Sequence, residues 1–477
     1  MQDARKFYIN GAWVDPIDGQ ELEVMNPSNE EPIATISLGG QADTDAAVAA
    51  AKAAFTPWFN TPKADRVAAL ERMYASYKAR AEDMAQAISQ EMGAPIEMAR
   101  VQQVGAGLGH FKNAINALKA FEFDQPLEGA PNDRILMEAI GVCALITPWN
   151  WPMNQVVLKV APAIAAGCSV VLKPSEVAPL SSYLFAEMMD AADLPPGVFN
   201  MVNGDGVGVG SQLSVHPDVD MVSFTGSTRA GKLITKAAAD TIKRVTLELG
   251  GKGANIIYDD ADEDAVARGV RRCMNNSGQS CNAPTRMLVQ RSRYDQAVEQ
   301  AQAEAEKTHV ASADSDGNHI GPVVSEVQWE KIQGLIQKGI DDGARVIAGG
   351  TGRPEGLNRG YYTRPTIFAD VSDDMTIWSE EIFGPVLAIT PFDDEAQAIE
   401  MANDTAYGLT NYVQTQDVEK AQRTARALRS GMVEINGNAR GPGAPFGGYR
   451  QSGNGREGGT WGLEDFLEVK SVGGWNG

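Results

Sequence analysis

Residues 141–176 read GVCALITPWNWPMNQVVLKVAPAIAAGCSVVLKPSE. An unbroken apolar run over 142–146 gives way to a polar, proline-bounded turn. A helix-forming stretch over 154–166 follows, then a second apolar run over 169–172. Short continuous apolar runs suit strands buried on both faces, and their alternation with helices predicts a parallel α/β sheet. The pattern continues with helices at 180–192, 208–216 and 230–241 and strands at 198–202, 221–225 and 245–249. A second α/β region is expected from 251 to about 434, with helices at 293–307 and 326–342. On the other side, 1–35 reads as short strands and turns. Residues 42 to about 119 are Ala-rich, with apolar positions recurring at three and four, and predict helix. Pro126 and Pro131 punctuate a polar segment before a strand at 134–140. The C-terminal part is Gly-rich and then gives a strand from 466.

Composition narrows the class. A chain of 477 residues with 43% apolar and 22% charged residues supplies a large globular core. Its 62 acidic against 41 basic residues leave a net charge of −21, which argues against nucleic acid and anionic membrane as partners. The N-terminus has no apolar leader. The most apolar stretch, 156–172, is broken by Lys159, Pro162 and Gly167 and is too short to span a bilayer. A cytoplasmic enzyme is expected. Neither the four cysteines nor the four histidines have metal-ligand spacing, so no metal site is expected. Cys143 and Cys168 lie in apolar runs, and Cys273 lies on a helix expected over 262–275; all three read as packing.

Cys281 is different. It ends the polar, Gly-containing run Asn275-Asn-Ser-Gly-Gln-Ser-Cys281, a setting for a nucleophile rather than a core thiol. Glu248 lies upstream in Leu247-Glu-Leu-Gly-Gly-Lys252, a carboxylate framed by glycines that can approach a reacting centre as a general base. Together they suggest a thioester released by assisted attack of water.

In open α/β sheets, ligands bind beyond the carboxyl ends of the strands. Polar motifs recur there: Thr147-Pro148-Trp149-Asn150, Lys173-Pro-Ser175-Glu176, Gly204-Asp-Gly206-Val-Gly-Val-Gly210 and Thr225-Gly226-Ser227. The last two open helices, whose free N–H groups can meet a pyrophosphate. Neither is a G-x-G-x-x-G, and each alone reads equally as a structural turn. Glu176 suits a ribose diol and would repel a 2′-phosphate, which favours NAD while leaving NADP open; it also reads as a solvated residue near a helix start.

These motifs, with Glu380-Glu381-Ile-Phe383-Gly-Pro, Tyr407-Gly-Leu and Pro445-Phe446-Gly-Gly-Tyr-Arg450 through Glu457, resemble the aldehyde dehydrogenase superfamily in order and spacing from about residue 8 to 472. The resemblance implies a Rossmann-like cofactor domain (1–120 and 141–250), an α/β catalytic domain (251–450) and a small β oligomerisation segment (121–140 and 451–477). It implies a homodimer or homotetramer acting on a small-molecule aldehyde through a Cys281 thiohemiacetal and thioester. Glu248 would be the base, Asn150 the oxyanion donor with the Cys281 N–H, and Lys159 and Glu457 a proton relay. NAD would be held at Ile146, Thr147, Pro148, Trp149, Lys173, Ser175, Glu176, Gly206, Gly210, Phe224, Gly226, Ser227, Leu249, Glu381 and Phe383. Trp151, Leu158, Ser280, Asn282 and Phe446 would line the substrate pocket, beside an aromatic-free loop over 436–444. Other readings stay open: Asn150 as a helix cap, Phe383 as core, Lys159 as a solvated helix residue and Glu457 as a salt-bridge partner. Arg450 stands where the family more often has Lys, and Gly253 where it more often has Ser. A CoA-acylating relative would share the fold and nucleophile, and a non-enzymatic protein the fold alone.

Overall fold

The computed structural model describes residues 1–17 and 19–475. Positions 18, 476 and 477 of the expected segments lie outside the described residues. The 141–176 stretch folds as read: strand Val142–Ile146, helix Pro152–Ala166, strand Ser169–Lys173. Pro152 occupies the first helical turn, where its missing N–H is no loss, and Gly167 ends the helix in the left-handed conformation.

Five strands form a parallel core in the order Arg244–Glu248, Met221–Thr225, Val142–Ile146, Ser169–Lys173, Phe199–Met201. The Phe7–Ile9 strand extends one edge antiparallel, and Gly453–Asn454 caps the other. Every residue of the three central strands is buried, as a sheet covered on both faces requires. A second, seven-stranded sheet is parallel except for its edge strand Arg345–Ala348. Its strands Ala254–Ile257 and Arg286–Gln290 flank the chain that carries Cys281.

A three-stranded antiparallel sheet pairs Ala130–Ala139 with Leu467–Val472 on one side and Asp124–Leu127 on the other. The expected helix over 42–119 is broken into pieces, Gln41–Phe59, Lys63–Ala79, Ala81–Met92 and the run starting at Ile96. Breaks fall at Pro62, at Arg80 and at Gly93-Ala-Pro95; at the first and last, ring geometry or a left-handed glycine ends a helix. The expected helix over 208–216 is a π turn, Gly206–Gly210, followed by Ser211–Val215. Among the described residues no helix is long and apolar enough to cross a membrane.

Candidate active site

Cys281 sits after a tight left-handed turn. Asn276, Ser277 and Gly278 take φ of 54°, 56° and 72° in succession. Non-glycine residues in that region cost on the order of 1–3 kcal/mol each and persist only where surroundings impose them. Here the surroundings do so. Asn276 Nδ2 donates to the Asn150 carbonyl at 2.9 Å, Ser277 Oγ to the Gly321 carbonyl at 2.8 Å, and Gln279 Oε1 accepts the Val324 N–H at 2.9 Å. A Cβ on Gly251 would collide with the Cys281 carbonyl, so the glycines after Glu248 let that strand end lie against the thiol loop.

Asn150, 4% exposed, turns its side chain to this loop: Nδ2 donates to the Gln279 carbonyl at 3.0 Å. It does not cap the helix that follows, whose N-cap is Trp151 and has no side-chain cap. The amide keeps a second N–H for another acceptor. Cys281 itself is partly exposed, unlike the other three cysteines. Loss of water and the nearby carboxylates Glu248 and Glu381 push its thiol well up, so it rests protonated.

Glu248 ends its strand, 4% exposed, with neither carboxylate oxygen hydrogen-bonded among the described residues. Burial, then the Glu457 charge, push its pKa well above the ordinary carboxylate value, against the pull of Lys159 and Arg456. Lys159 and Glu457 are buried together: Nζ meets Oε1 at 2.5 Å and donates to Ser223 Oγ at 3.1 Å. The solvated reading of Lys159 does not hold, whereas Glu457 is a salt-bridge partner, of Lys159. Glu457 keeps Oε2 unpartnered.

Two cavities meet at Cys281, and another lies farther along the strand ends. One of 210 Å³ is walled by Pro148, Trp149, Asn150, Gly226, Ser227, Glu248, Leu249, Cys281, Glu381 and Phe383, with Gln328 and Lys331. Glu381 Oε1 accepts the Gly251 N–H at 2.8 Å, and burial raises its pKa. Phe383 stands edge-on to Trp149 at 5.4 Å, against the cavity rather than in the core. A second cavity, 220 Å³, lies beyond the strand ends between Gly206–Val215 and the Thr228–Ala238 helix. Ile146, Gly206, Gly210 and Phe224 line it, with Val207 and Leu233 left 80% and 57% exposed. That uncovered apolar slit suits a flat aromatic ring. The Ser227 hydroxyl caps the adjoining helix by accepting the Ala230 N–H at 3.2 Å. Strand ends, an open helix N-terminus and a flat slit together fit a dinucleotide.

The third cavity, 310 Å³, opens on the other side of Cys281 and is lined by Trp151, Leu158, Asn282, Phe446 and the 440–444 loop. Some expected residues stand apart from these walls. Ser280 Oγ accepts the Trp151 indole N–H at 2.8 Å and so braces the cavity from behind. Lys173 and Glu176 pair with each other at 2.9 Å, and Ser175 Oγ accepts the Val177 N–H at 3.2 Å. Thr147 is buried. Sequence reading missed His110, Asn113, Asn154 and Gln155 in the third cavity and Arg229 in the second, while Arg440 lies in the loop expected over 436–444. The spacing of Ala106, His110 and Asn113 along one face of the Val104–Ala120 helix was the available signal.

A buried carboxylate and a thiol sharing a cavity at the strand ends of a parallel sheet define an oxidoreductase-type site with covalent capability. Residues 13–472 match the model of the aldehyde dehydrogenase family, and the chain belongs to that family. It is 52% identical over 479 residues, the full length of both proteins, to a 3-succinoylsemialdehyde-pyridine dehydrogenase of a Pseudomonas species. A crystal structure of an aldehyde dehydrogenase from Bartonella henselae superposes with a TM-score of 0.98 at 57% identity, covering 99% of each chain. A mutant of aldehyde dehydrogenase C from Pseudomonas syringae, complexed with NAD+ and octanal, gives 0.97 at 48% identity over 99% of this chain and 97% of that one.

Proposed function

We propose that the chain oxidises an aldehyde to a carboxylic acid, with NAD as acceptor, through a thioester on Cys281. The observation that carries this is the position of Cys281, which lines both the 210 Å³ cavity and the 310 Å³ cavity. A thiol at that junction can hold an acyl group from one side while a cofactor approaches from the other.

The chain's own groups then divide the work. Cys281 loses its proton and its sulfur bonds to the aldehyde carbon. That proton leaves to water in the open cavity, and Glu248, the carboxylate on the same wall, is kept for the second step. The resulting oxyanion is met by the spare N–H of Asn150 and the backbone N–H of Cys281. When bound, NAD supplies the hydride acceptor that converts the thiohemiacetal to a thioester. Glu248 next takes a proton from water, the hydroxide adds to the acyl carbon, and the Cys281 thiolate leaves with the carboxylic acid released. Glu457 and Lys159 carry the proton away from Glu248.

For the cofactor, Ile146, Phe224, Gly206 and Gly210 frame the base. Ser227 and Gly226 sit where the pyrophosphate would approach. Lys173 and Glu176, with Thr147 and Ser175, serve the adenosine ribose. Glu381 serves the other ribose beside Pro148, Trp149, Leu249 and Phe383. The Glu176 carboxylate favours NAD over NADP. Trp151, Leu158, Ser280, Asn282 and Phe446 shape the acyl side. Segments 1–120 and 141–250 act as the cofactor domain, 251–450 as the catalytic domain, and 121–140 with 451–477 as the oligomerisation segment of a cytoplasmic homodimer or homotetramer. The free edges of the small antiparallel sheet and the exposed Val469 support that last role.

The test is NADH formation from an aldehyde panel, run with NAD and NADP, with and without CoA. The panel includes octanal and the succinoylpyridine semialdehyde named for the Pseudomonas relative. Acid formation independent of CoA and abolished in Cys281→Ala is expected. Undiminished oxidation by Cys281→Ala overturns the mechanism, and release of acyl-CoA reassigns the acceptor.

A further inference from the structure

The helix Thr228–Ala238 turns Arg229, Leu233 and Ala237 to the 220 Å³ slit, with Ala230 and Ile234 beside them. Both sets repeat at four residues and so lie on one face of the helix. The aliphatic members suit a flat ring. Arg229 stands at the first turn of that face, just beyond the capping Ser227. Phe224 lines the slit while Thr225, Gly226 and Ser227 line the 210 Å³ cavity, so the two spaces adjoin across the start of this helix.

The other polar side chains of the slit are occupied as donors. Ser211 Oγ donates to the Gly206 carbonyl at 3.0 Å, and Ser214 Oγ to the Gly210 carbonyl at 2.8 Å. The nearby lysines are engaged too. Lys331 donates to the Glu381 carbonyl at 3.0 Å, Lys173 pairs with Glu176 at 2.9 Å, and Lys232 donates to Gln451 Oε1 at 3.1 Å. The Arg229 guanidinium, exposed at the rim, makes no hydrogen bond, ion pair or ring contact among the described residues. In a chain of net charge −21 it is an unneutralised positive charge beside a concave surface, where low-dielectric walls strengthen its field. Side chains on a helix lean toward its N-terminus, so Arg229 reaches from the slit toward Ser227 and the junction of the two spaces.

We propose that Arg229 pairs with the pyrophosphate of the dinucleotide, its guanidinium closing over the junction between the adenine slit and the cavity that holds Cys281. This rests on the reading of those two spaces as the NAD site. A dinucleotide with its base in one and its nicotinamide in the other must lay its pyrophosphate across the start of this helix. The helix N-terminus offers partial charge and N–H donors there. Arg229 adds a full charge on a planar fork that matches phosphate oxygens. It is a binding residue: it draws an anionic cofactor to an acidic protein and takes no part in bond making at Cys281.

Fluorescence titration with NADH, with displacement by ADP-ribose and a parallel titration with NADPH, reads binding without turnover. Arg229→Ala is expected to weaken NADH and ADP-ribose about 5–20-fold at about 0.05 M salt, and the gap should close to about threefold or less at about 0.5 M as the charges are screened. Arg229→Lys keeps the charge without the fork and should recover part of the affinity, and Arg229→Glu should bind more weakly than Arg229→Ala. A role confined to packing predicts neither the salt dependence nor the recovery with Lys. Unchanged affinity in Arg229→Ala, a loss that persists at high salt, or a loss as deep in Arg229→Lys overturns the inference. A loss confined to NADPH also overturns it, placing Arg229 at the adenosine 2′-phosphate instead. Failure of the parent protein to bind NADH or ADP-ribose overturns the cofactor reading itself.

Discussion

Replacing Glu248 by Gln separates what burial does to this carboxylate from what catalysis asks of it. Both oxygens are shielded from water and unpartnered among the described residues, and burial with the Glu457 charge raises the pKa well above its ordinary value. A carboxyl raised in the folded state stabilises fully below its unfolded pKa, and that contribution is lost as pH rises through the folded value. Ionised Glu248 is therefore a liability to the fold, which Glu248→Gln removes. The variant should unfold no more readily than the parent, and at alkaline pH should gain on the order of 1 kcal/mol. Catalysis moves the opposite way. Loss of a general base typically costs 10²–10⁴-fold, or about 3–5 kcal/mol at ~1.4 kcal/mol per tenfold. That loss should fall mainly on thioester hydrolysis. Stopped-flow mixing with NAD and aldehyde should give a burst approaching one NADH per Cys281, followed by a steady rate at least a hundredfold below the parent. The parent's hydrolytic rate should rise with pH as Glu248 ionises, and the variant's should lose that rise. Steady-state turnover within tenfold of the parent, or a clear drop in unfolding midpoint at alkaline pH, refutes the reasoning.

Other perturbations test neighbouring parts. Asn150→Ala removes a donor aimed at the Cys281 loop and should lower kcat by about 10²–10³-fold, measured at saturating aldehyde; a tenfold rise in KM alone would make Asn150 a binding residue instead. Lys159→Met strands the Glu457 carboxylate, 7% exposed, and should destabilise by about 3–5 kcal/mol in denaturant unfolding, whereas a neutral effect would mean that Glu457 simply protonates. Glu176→Ser should raise NADP use relative to NAD in kcat/KM, and an unmoved ratio would remove Glu176 from cofactor discrimination. Glu91, fully buried and accepting the Leu180 and Ser181 N–H groups at the start of the Leu180–Ala191 helix, has its carboxyl pushed up to about 7 by burial. Its stabilisation is full below the unfolded value of about 4.5 and is lost as pH rises through about 7. Glu91→Gln should flatten the thermal midpoint across that window, and a parallel pH profile would contradict this.

What was legible in the sequence was what is local. The apolar runs of the central sheet are short, continuous and bounded by turn residues, so strands such as Val142–Ile146 and Met221–Thr225 were placed to the residue. The thiol stood out in a polar, Gly-containing loop, and the carboxylate at a strand end followed by two glycines. Helix boundaries near Gly206 and Gly93 were harder, because π turns and left-handed caps are set by packing. The turn at Asn276 and Ser277 was hidden for another reason: neither residue requires φ above zero, and hydrogen bonds to Asn150 and Gly321 impose it. The polar face of the acyl cavity was also missed. His110 and Gln155 are 45 positions apart in sequence and meet only because helices Val104–Ala120 and Pro152–Ala166 pack together. A helix face reveals its polarity in sequence, but what it faces is a property of the tertiary fold.

The central claim is that Cys281 carries the acyl group and Glu248 releases it. Intact-mass and peptide mass spectrometry on Glu248→Gln, quenched in acid after mixing with NAD and one aldehyde, tests it most directly. The predicted result is a single added acyl group, on the peptide containing Cys281, absent without NAD and absent in the double variant that also carries Cys281→Ala. An unmodified Cys281 peptide alongside a full NADH burst, or an acyl group on any other residue, would contradict the account.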